Sequence, residues 1–441
     1  MPSRIAALLL ALAMLALAAA APAQAQSSMT IDIFGPGQTR TNVMLLQPLP
    51  AAPGTAMPAM TADMQAKIRE NLRYLPFLRQ VAASEVIGGD RVESPKTPGI
   101  DFKRFQLSRV DLLITSAWTP GADGKASVAF RVYETFTTTM LFGQEYADIK
   151  PAHMADIADS FCSRLMEVLT GRVGFFQSRL AFVRKDQSGK EIWVAGPTGH
   201  NARKVTSLGG VNTSPAWSLD GKRLLFTHVA KNQHLLGVVD METGRVQTID
   251  LPGSTVISPT FTPDGRLAVT LDTGGQPSIH LLSRDWKPAG VLAKSWAIDV
   301  SPSFDRSGRK MAFASGRLGN PHIFLLDVPS GQVRRVTYEG KYNTNPSISP
   351  DGRLVAFSRD TPEGHRIFVH DLQTGVERQI TFGPGFDEEP TFGPEGYFIA
   401  FSSSRGGAYK LYLTTRHGDE PVMLQTGPGE ARAPSWTRGK E

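Results

Sequence analysis

Apolar and proline positions recur with a period of about 44 residues in the second half of the chain. Six prolines follow one another at steps of 44, 43, 44, 44 and 44 residues, and a large apolar residue stands two positions after each. Four short β-type runs, separated by Asp-Gly and by Thr-Gly or Ser-Gly turns, fill each unit. Four strands in about 44 residues predict the blade of a β-propeller. The prolines are Pro215, Pro259, Pro302, Pro346, Pro390 and Pro434.

The first and last units of the repeat are incomplete in complementary ways. The first begins at 179–185 without the proline-containing strand, whereas the last consists of that strand alone, at 433–436. A ring closed by pairing these two pieces removes the exposed sheet edges that an open stack would leave. We therefore expect an all-β six-bladed β-propeller over 173–441, with one split blade closed by 433–437. We expect each proline at the beginning of its strand, where it costs no ladder hydrogen bond.

Residues 26–172 mix helical and strand periods. Alternating or continuous apolar runs at 43–47, 110–118 and 126–136 predict strands. Apolar residues at steps of three and four predict one helix from Met60 to Leu75 and another from Met154 to Leu169. The chain is thus expected to have two domains, an N-terminal α/β domain followed by the propeller.

Residues 1–25 have the pattern of a secretory signal peptide. Arg4 is the only charge, an apolar run of 17 residues follows it, and Ala23-Gln24-Ala25 is a small-residue cleavage site. The run is shorter than the ~20 residues of a membrane-spanning helix. We expect an exported mature chain beginning near Gln26.

Charge and cysteine content exclude several functions. The net charge is +6, but no basic run exceeds three residues, so no nucleic-acid partner is expected. The single cysteine, Cys162, forms no internal disulfide and fits a small buried hydrophobe. No GxSxG, HExxH or P-loop motif is present, and the nine histidines are scattered. We predict no catalytic residue, no cofactor and no metal site.

Three segments carry a resemblance to a known family. They are 130–135 (FRVYET), 166–183 (MEVLTGRVGFFQSRLAFV) and the repeats of the type SPAWSLDG. Together they resemble the TolB family of the bacterial Tol-Pal envelope system. The resemblance implies a non-enzymatic, monomeric periplasmic protein whose propeller binds the lipoprotein Pal and thereby associates with the outer membrane. It also implies an N-terminal contact with inner-membrane TolA, and a role in outer-membrane integrity and invagination during cell division.

The segments just before the six prolines differ while the frame around them repeats. Variation confined to one rim is typical of a binding surface on a repeated scaffold. In a propeller these segments cross from an outer strand to the next inner strand, so we expect them as loops at one mouth of the channel. We predict that six of their residues contact Pal: Asn212, Thr255, Asp299, Asn343, Asp387 and Glu388.

The segment 27–40 has two interpretations. Met29, Ile31 and Ile33 alternate, and Gly35-Pro36-Gly37 then interrupts the run. The run fits the first strand of the α/β sheet. It also fits a strand offered to a partner, which the resemblance identifies as TolA.

Two other classes of function remain open at this point. An exported propeller can be an enzyme of the quinoprotein or calcium-dependent lactonase type, or a peptide- or sugar-binding module.

Overall fold

The computed structural model describes residues 40–187, 189–231 and 233–437. The signal sequence and the candidate segment containing Met29, Ile31 and Ile33 lie outside these ranges. No helix among the described residues has both the length and the apolar character needed to cross a membrane.

A mixed sheet and three α-helices, with short 3-10 turns between them, form the described N-terminal α/β region. Its strands, in chain order, are β1 (Thr41–Leu45), β2 (Leu49–Pro50), β3 (Leu78–Gln80), β4 (Leu112–Pro120), β5 (Ala126–Glu134) and β6 (Thr139–Ile149). The helices are α1 (Thr61–Leu72), α2 (Phe102–Leu107) and α3 (Met154–Thr170). The sheet order is β3-β1-β4-β5-β6, with β2 beside β4. Strand β1 is parallel to both neighbours, and β4, β5 and β6 are antiparallel.

The two helices expected from the apolar periodicity are α1 and α3. Met64, Ile68 and Leu72 are buried at four-residue steps along α1 and belong to the same core as the sheet. Helix α3 ends at Gly171, whose φ of 65° is the left-handed conformation that favours glycine at a helix end. The edge strand β6 has no expected counterpart, because its mostly exposed residues alternate only weakly.

Sheets that are antiparallel except for one parallel pair build the remainder of the described chain. Their first twelve strands are β7 (Leu180–Asp186), β8 (Gly189–Ala195), β9 (Arg203–Lys204), β10 (Val211–Trp217), β11 (Arg223–Ala230), β12 (Gln233–Asp240), β13 (Val246–Ile249), β14 (Thr255–Phe261), β15 (Leu267–Asp272), β16 (Ser278–Leu282), β17 (Pro288–Ala293) and β18 (Asp299–Phe304). The other twelve are β19 (Lys310–Ser315), β20 (His322–Asp327), β21 (Gln332–Arg335), β22 (Asn343–Ile348), β23 (Leu354–Thr361), β24 (Gly364–Asp371), β25 (Glu377–Gln379), β26 (Asp387–Phe392), β27 (Phe398–Ser403), β28 (Lys410–Thr415), β29 (Val422–Met423) and β30 (Glu430–Trp436).

These strands form a β-propeller with four separate four-stranded sheets, β14–β17, β18–β21, β22–β25 and β26–β29. An eight-stranded sheet contains β30, β7, β8 and β9 together with β10–β13. Within it, β30 pairs antiparallel with β7, so that Trp436 lies opposite Leu180. The last described strand therefore joins the first strand of the propeller.

The six prolines lie inside their strands, not at the beginning as expected. The pairing register shifts around each of them, as in a β-bulge. The bulge removes the ladder position that the missing proline N–H would have served, so the strand continues past the proline. In all six strands the preceding residue has a positive φ, between 49° and 58°: Ser214, Ser258, Ser301, Asn345, Glu389 and Ala433.

The segment 171–178 connects the two regions through an apolar contact. The ring of Phe175 lies 4.3 Å from that of Phe398 and 5.6 Å from that of Trp436, centroid to centroid. All three belong to the same hydrophobic cluster as Phe161 of α3. The cores of the α/β region and the propeller are therefore continuous.

Candidate functional site

The central channel of the propeller is lined by equivalent residues of six strands. Its lining consists of each proline with the residue before and after it, around a volume of about 200 Å³. Most of these residues are small, and Glu389 is the only ionisable one among those described there. Each strand that contains one of the six prolines is here called a first strand. We call the end of the channel where the chain passes into each first strand the crossing mouth. The end with the Asp-Gly turns is the turn mouth. The crossing segments are 205–210, 250–254, 294–298, 336–342, 380–386 and 424–429.

The structure places the six predicted contact residues in first strands, not in loops. Asn212, Asp299, Asn343 and Asp387 have no exposed surface. Thr255 and Glu388 are half-buried. The prediction that these residues lie in loops was wrong, because each proline-containing strand extends past its bulge toward the crossing mouth. Burial argues against direct partner contact by the first four side chains, although partner binding itself stays a prediction.

Two of the buried carboxylates make ion pairs inside their own sheets. Asp299 Oδ1 accepts a hydrogen bond from Arg317 Nη2 at 3.0 Å. Asp387 accepts two from Arg405 Nη2, both at 3.1 Å. Each arginine follows its aspartate by 18 residues. It lies two residues beyond the end of the strand that pairs with the aspartate's strand. The pairs tie the first strand to the loop of the neighbouring hairpin, at the crossing mouth.

The two buried asparagines have the same bracing role with other partners. Asn212 Oδ1 lies 2.8 Å from Nδ1 of His228, and burial lowers the pKa of that histidine. Asn343 Oδ1 accepts from Arg359 Nε at 2.8 Å. Each partner stands 16 residues after its asparagine in the sequence. The paired spacings of 16 and 18 residues are a sequence signal that could have identified these four residues as structural.

Glu388 belongs to a charged network between β26 and β30. Its Oε2 accepts from Arg432 Nη2 at 2.8 Å and from the Tyr409 hydroxyl at 2.6 Å. Arg432 also lies 3.4 Å from Glu389. Burial, together with Glu388, raises the pKa of Tyr409 to about 12, which keeps the phenol protonated as a donor. This network fastens the closing strand β30 to the neighbouring sheet.

Every exposed aromatic side chain among the described propeller residues lies in the crossing segments. Trp296 is 72% exposed, Tyr338 69% and Phe382 64%. Tyr342 and Phe386 complete this group, which we call the aromatic arc. Large apolar groups grouped on one face are typical of protein interaction sites. The contact residues predicted from the sequence did not include the arc, because a large apolar residue type by itself favours burial.

A second cavity, of about 650 Å³, lies between α3 and the N-terminal strands of the propeller. Asp159 of α3 crosses this boundary, since its Oδ2 lies 3.2 Å from Nε2 of His200. Its Oδ1 accepts from Asn71 of α1 at 2.8 Å. The carboxylate therefore joins α1, α3 and the propeller in one buried polar contact.

Within the described ranges, no group of three or more His, Cys, Asp or Glu side chains is arranged to hold a metal ion. Burial raises the pKa of the Cys162 thiol, which keeps it protonated. The expected lack of catalytic residues and cofactors stays a prediction.

The fold and the channel define a β-propeller protein that carries an N-terminal α/β region. Residues 166–440 match the family model described as the TolB beta propeller domain, and the chain belongs to this family. The resemblance noted from the sequence is thereby confirmed.

Curated relatives carry the same family name. The chain is 46% identical over 290 residues to the "Tol-Pal system protein TolB" of Nitratidesulfovibrio vulgaris, and the match spans 66% of each chain. It is 31% identical over 298 residues to the "Protein TolB homolog" of Chlorobium luteolum, covering 68% of this chain and 67% of that protein. The crystal structure of TolB from Acinetobacter baumannii superposes with a TM-score of 0.77 at 20% identity, covering 93% of this chain and 99% of that one. At this identity the superposition shows a common fold.

Proposed function

We propose that this protein is a non-catalytic periplasmic component of the Tol-Pal system that binds the lipoprotein Pal at the crossing mouth. The name of the relative from Nitratidesulfovibrio vulgaris and the signal-peptide pattern support this assignment. In this proposal the protein is a monomer that associates with the outer membrane through Pal. It links Pal to inner-membrane TolA and supports outer-membrane integrity and invagination during cell division.

We also propose that the propeller has six blades and that the domain boundary lies near residue 172. Two four-strand sets in the eight-stranded sheet, added to the four separate sheets, support the count. Six equivalent proline segments around the channel support it as well. The α/β domain then comprises 26–172 and the propeller 173–441.

The aromatic arc is the observation that carries the proposed Pal site. Trp and Tyr contribute most of the binding energy in many interfaces, because they bury a large area at a small entropic cost. Arg335 lies 4.9 Å from the ring centre of Tyr338, and His365 lies 5.9 Å from that of Phe386. Polar groups thus border the arc. The half-buried Thr255 and Glu388 remain candidates for contact, while Asn212, Asp299, Asn343 and Asp387 position the rim behind it.

Alanine at Tyr338 and Phe382 tests this site. We expect the double variant to lose at least tenfold in affinity for the soluble domain of Pal, measured by calorimetry, because two anchors of the interface are removed. Phe136→Ala is the matched control, since Phe136 is 60% exposed but lies in the turn between β5 and β6. Unchanged affinity in the double variant, or an equal loss in the control, would exclude the arc as the Pal site.

We propose separately that Met29, Ile31 and Ile33 contact TolA by strand addition. A shortened chain beginning at Thr41 keeps β1 and the propeller. It is expected to retain Pal affinity and to lose TolA affinity. Equal TolA affinity of the mature and shortened chains would remove this segment from the mechanism.

A further inference from the structure

Glu395 lies at a turn position that is usually filled by a shorter carboxylate. Asp220, Asp264 and Asp351 occupy the equivalent position in other turns at the turn mouth. Their carboxylates cap their own turns; for example, Asp264 Oδ1 accepts from Thr262 and from the N–H of Arg266. Glu395 has one more methylene group, and its carboxylate leaves the turn to contact the connection between the two regions.

The contacted connection is the segment 171–178, here called the linker. Oε1 of Glu395 accepts a hydrogen bond from the N–H of Phe175. The linker residue Arg172 donates in return, from Nη1 to the backbone oxygen of Glu395, at 3.2 Å. Between them, Gly174 has a φ of +125°, and a Cβ there would lie 2.9 Å from Glu395 Oε1. A larger residue at 174 would have to displace the Glu395 carboxyl group and adopt a backbone angle that favours glycine.

The other carboxylate oxygen has no partner. Oε2 of Glu395 is inaccessible to solvent and makes no hydrogen bond within the described part of the chain. A buried carboxyl oxygen without a partner costs less free energy when it carries a proton than when it is charged. The position of this atom therefore favours the neutral acid.

Cations face the carboxyl group from two elements. Arg172 comes from the linker, and Arg306 reaches over from the turn between β18 and β19 to donate to the oxygen of Pro394 at 3.3 Å. Burial lowers the pKa of Arg416, on the turn after β28; Arg172 and Arg353 lower it further, whereas Asp351 and Tyr397 raise it. Burial and the charge of Asp419 raise the pKa of Tyr397. The surrounding guanidinium groups moderate the cost of ionising Glu395.

We propose that Glu395 is a proton-controlled latch that holds the linker against the turn mouth when neutral and releases it when ionised. The neutral carboxyl group keeps its bond to the Phe175 N–H without burying a charge. After ionisation, the separation of linker and turn lets water reach both oxygens, so the equilibrium shifts toward the open arrangement. The latch thereby couples proton binding to the attachment of the α/β region to the propeller.

The titration range follows from the environment. Burial raises the pKa of Glu395 from 4.5 to about 7, against the lowering effects of the backbone N–H groups, Arg172 and Arg306. The latched form therefore binds a proton about 300-fold more tightly than a solvated glutamate. Since the pKa is raised in the latched form, its stabilisation is complete below about pH 4.5 and disappears as the pH rises through about 7.

Hydrogen exchange of the linker in the full mature chain tests the latch. Exchange of the peptide covering 171–178 is followed by mass spectrometry between pH 5.5 and 8.5, after division by the chemical exchange rate. We expect wild-type protection to fall at least tenfold across pH 7, and Glu395→Gln to keep the low-pH protection throughout. A flat wild-type profile, or the same fall in Glu395→Gln, would overturn the proposal.

Two further variants guard against trivial explanations. Asp264→Asn changes the equivalent turn carboxylate, which bonds to Thr262 and Arg266 of its own turn, so it should reproduce the wild-type profile. A flattened profile would refute a role specific to Glu395. Gly174→Ala places a Cβ against Glu395, so linker protection should be low at every pH. Full protection in this folded variant would contradict the geometry of the latch.

Discussion

The two mouths of the channel differ although one repeat builds both. At the crossing mouth, large aromatic side chains such as Trp296 are exposed and the polar residues behind them are buried. At the turn mouth, the linker covers the propeller and the aromatic residues Phe175 and Trp436 are buried. The repeated strands provide identical frames, so the difference arises from residues that depart from the repeat. Such departures mark positions where the chain contacts something other than its own sheet.

Alanine substitutions of Trp436 and Trp296 should give the largest difference in the free energy of unfolding between the two mouths. Trp436 is 8% exposed, packs on Phe175 and lies in the closing strand β30. We expect Trp436→Ala to lower the free energy of unfolding by about 4 kcal/mol, because it leaves a cavity where both regions meet. Trp296→Ala should change it by less than about 0.5 kcal/mol. Urea denaturation measures both, and similar losses would show that the two mouths do not differ in this way.

Removal of Arg405 should have the next largest effect. Its partner Asp387 has no exposed surface, so Arg405→Ala leaves a buried charge uncompensated and is expected to cost about 3 kcal/mol. Arg353→Ala is the control at the turn mouth, where the arginine is 53% exposed in its pair with Asp371. A solvent-exposed pair of this kind contributes less than about 1 kcal/mol. An equal cost in both variants would argue that bracing is not specific to the crossing mouth.

A substitution at one of the proline bulges, which lie between the two mouths, should stabilise the protein. Ser258 has a φ of 49°, a conformation that is unfavourable for serine and easy for glycine. We expect Ser258→Gly to raise the free energy of unfolding by about 0.5–1 kcal/mol, because relief of the positive φ exceeds the entropic cost of glycine. Ser254→Gly, at a residue without positive φ, should lower it slightly. A loss in Ser258→Gly would mean that its side chain contributes more than the backbone strain costs.

Substitution of Asp264 should have the smallest effect on stability. The pKa of Asp264 is lowered, whereas that of Glu395 is raised, so the two carboxyl groups give opposite pH dependences. The hydrogen bond from Arg266 and those from Thr262 and the backbone lower the pKa of Asp264 to about 2. Its stabilisation is therefore present above pH 3.8 and is lost as the pH falls through about 2. We expect Asp264→Asn to cost below about 0.5 kcal/mol at pH 7, since the pair with Arg266 is solvent-screened, and nothing once the pH is well below the folded-state pKa. Thermal unfolding across this range checks the sign.

The sequence predicted the regular parts of this molecule better than the irregular ones. The proline period indicates the propeller, and the stripe from Met154 to Leu169 indicates α3, because both patterns follow directly from burial. The edge strand β6 escaped prediction, since few of its side chains are buried. The bulges were also missed, because a positive φ at Ser258 or Ala433 has no signature in residue type.

The candidate site was only partly predictable for a related reason. Polar residues such as Asn212 and Asp387 indicate solvent exposure until their partners are known, and those partners are set by pairing between strands. The exposure of Trp296 could not be read from an apolar residue type, which by itself favours burial. Glu395 differs from its counterparts by one methylene group, and only the position of the linker gives that difference a meaning.

The pairing of β30 with β7 has a consequence for how the molecule folds. The N–H of Arg179 donates to the hydroxyl of Thr437 across 258 residues of sequence. Contacts between such distant residues slow folding, because the chain entropy lost in closing the loop precedes the gain from pairing. The hairpins of the separate sheets can form as the chain emerges, but the pairing of β7 with β30 must wait until the sheets between them have been made. Ring closure is then the late step, and until it occurs one edge of β7 is open to pairing with another chain.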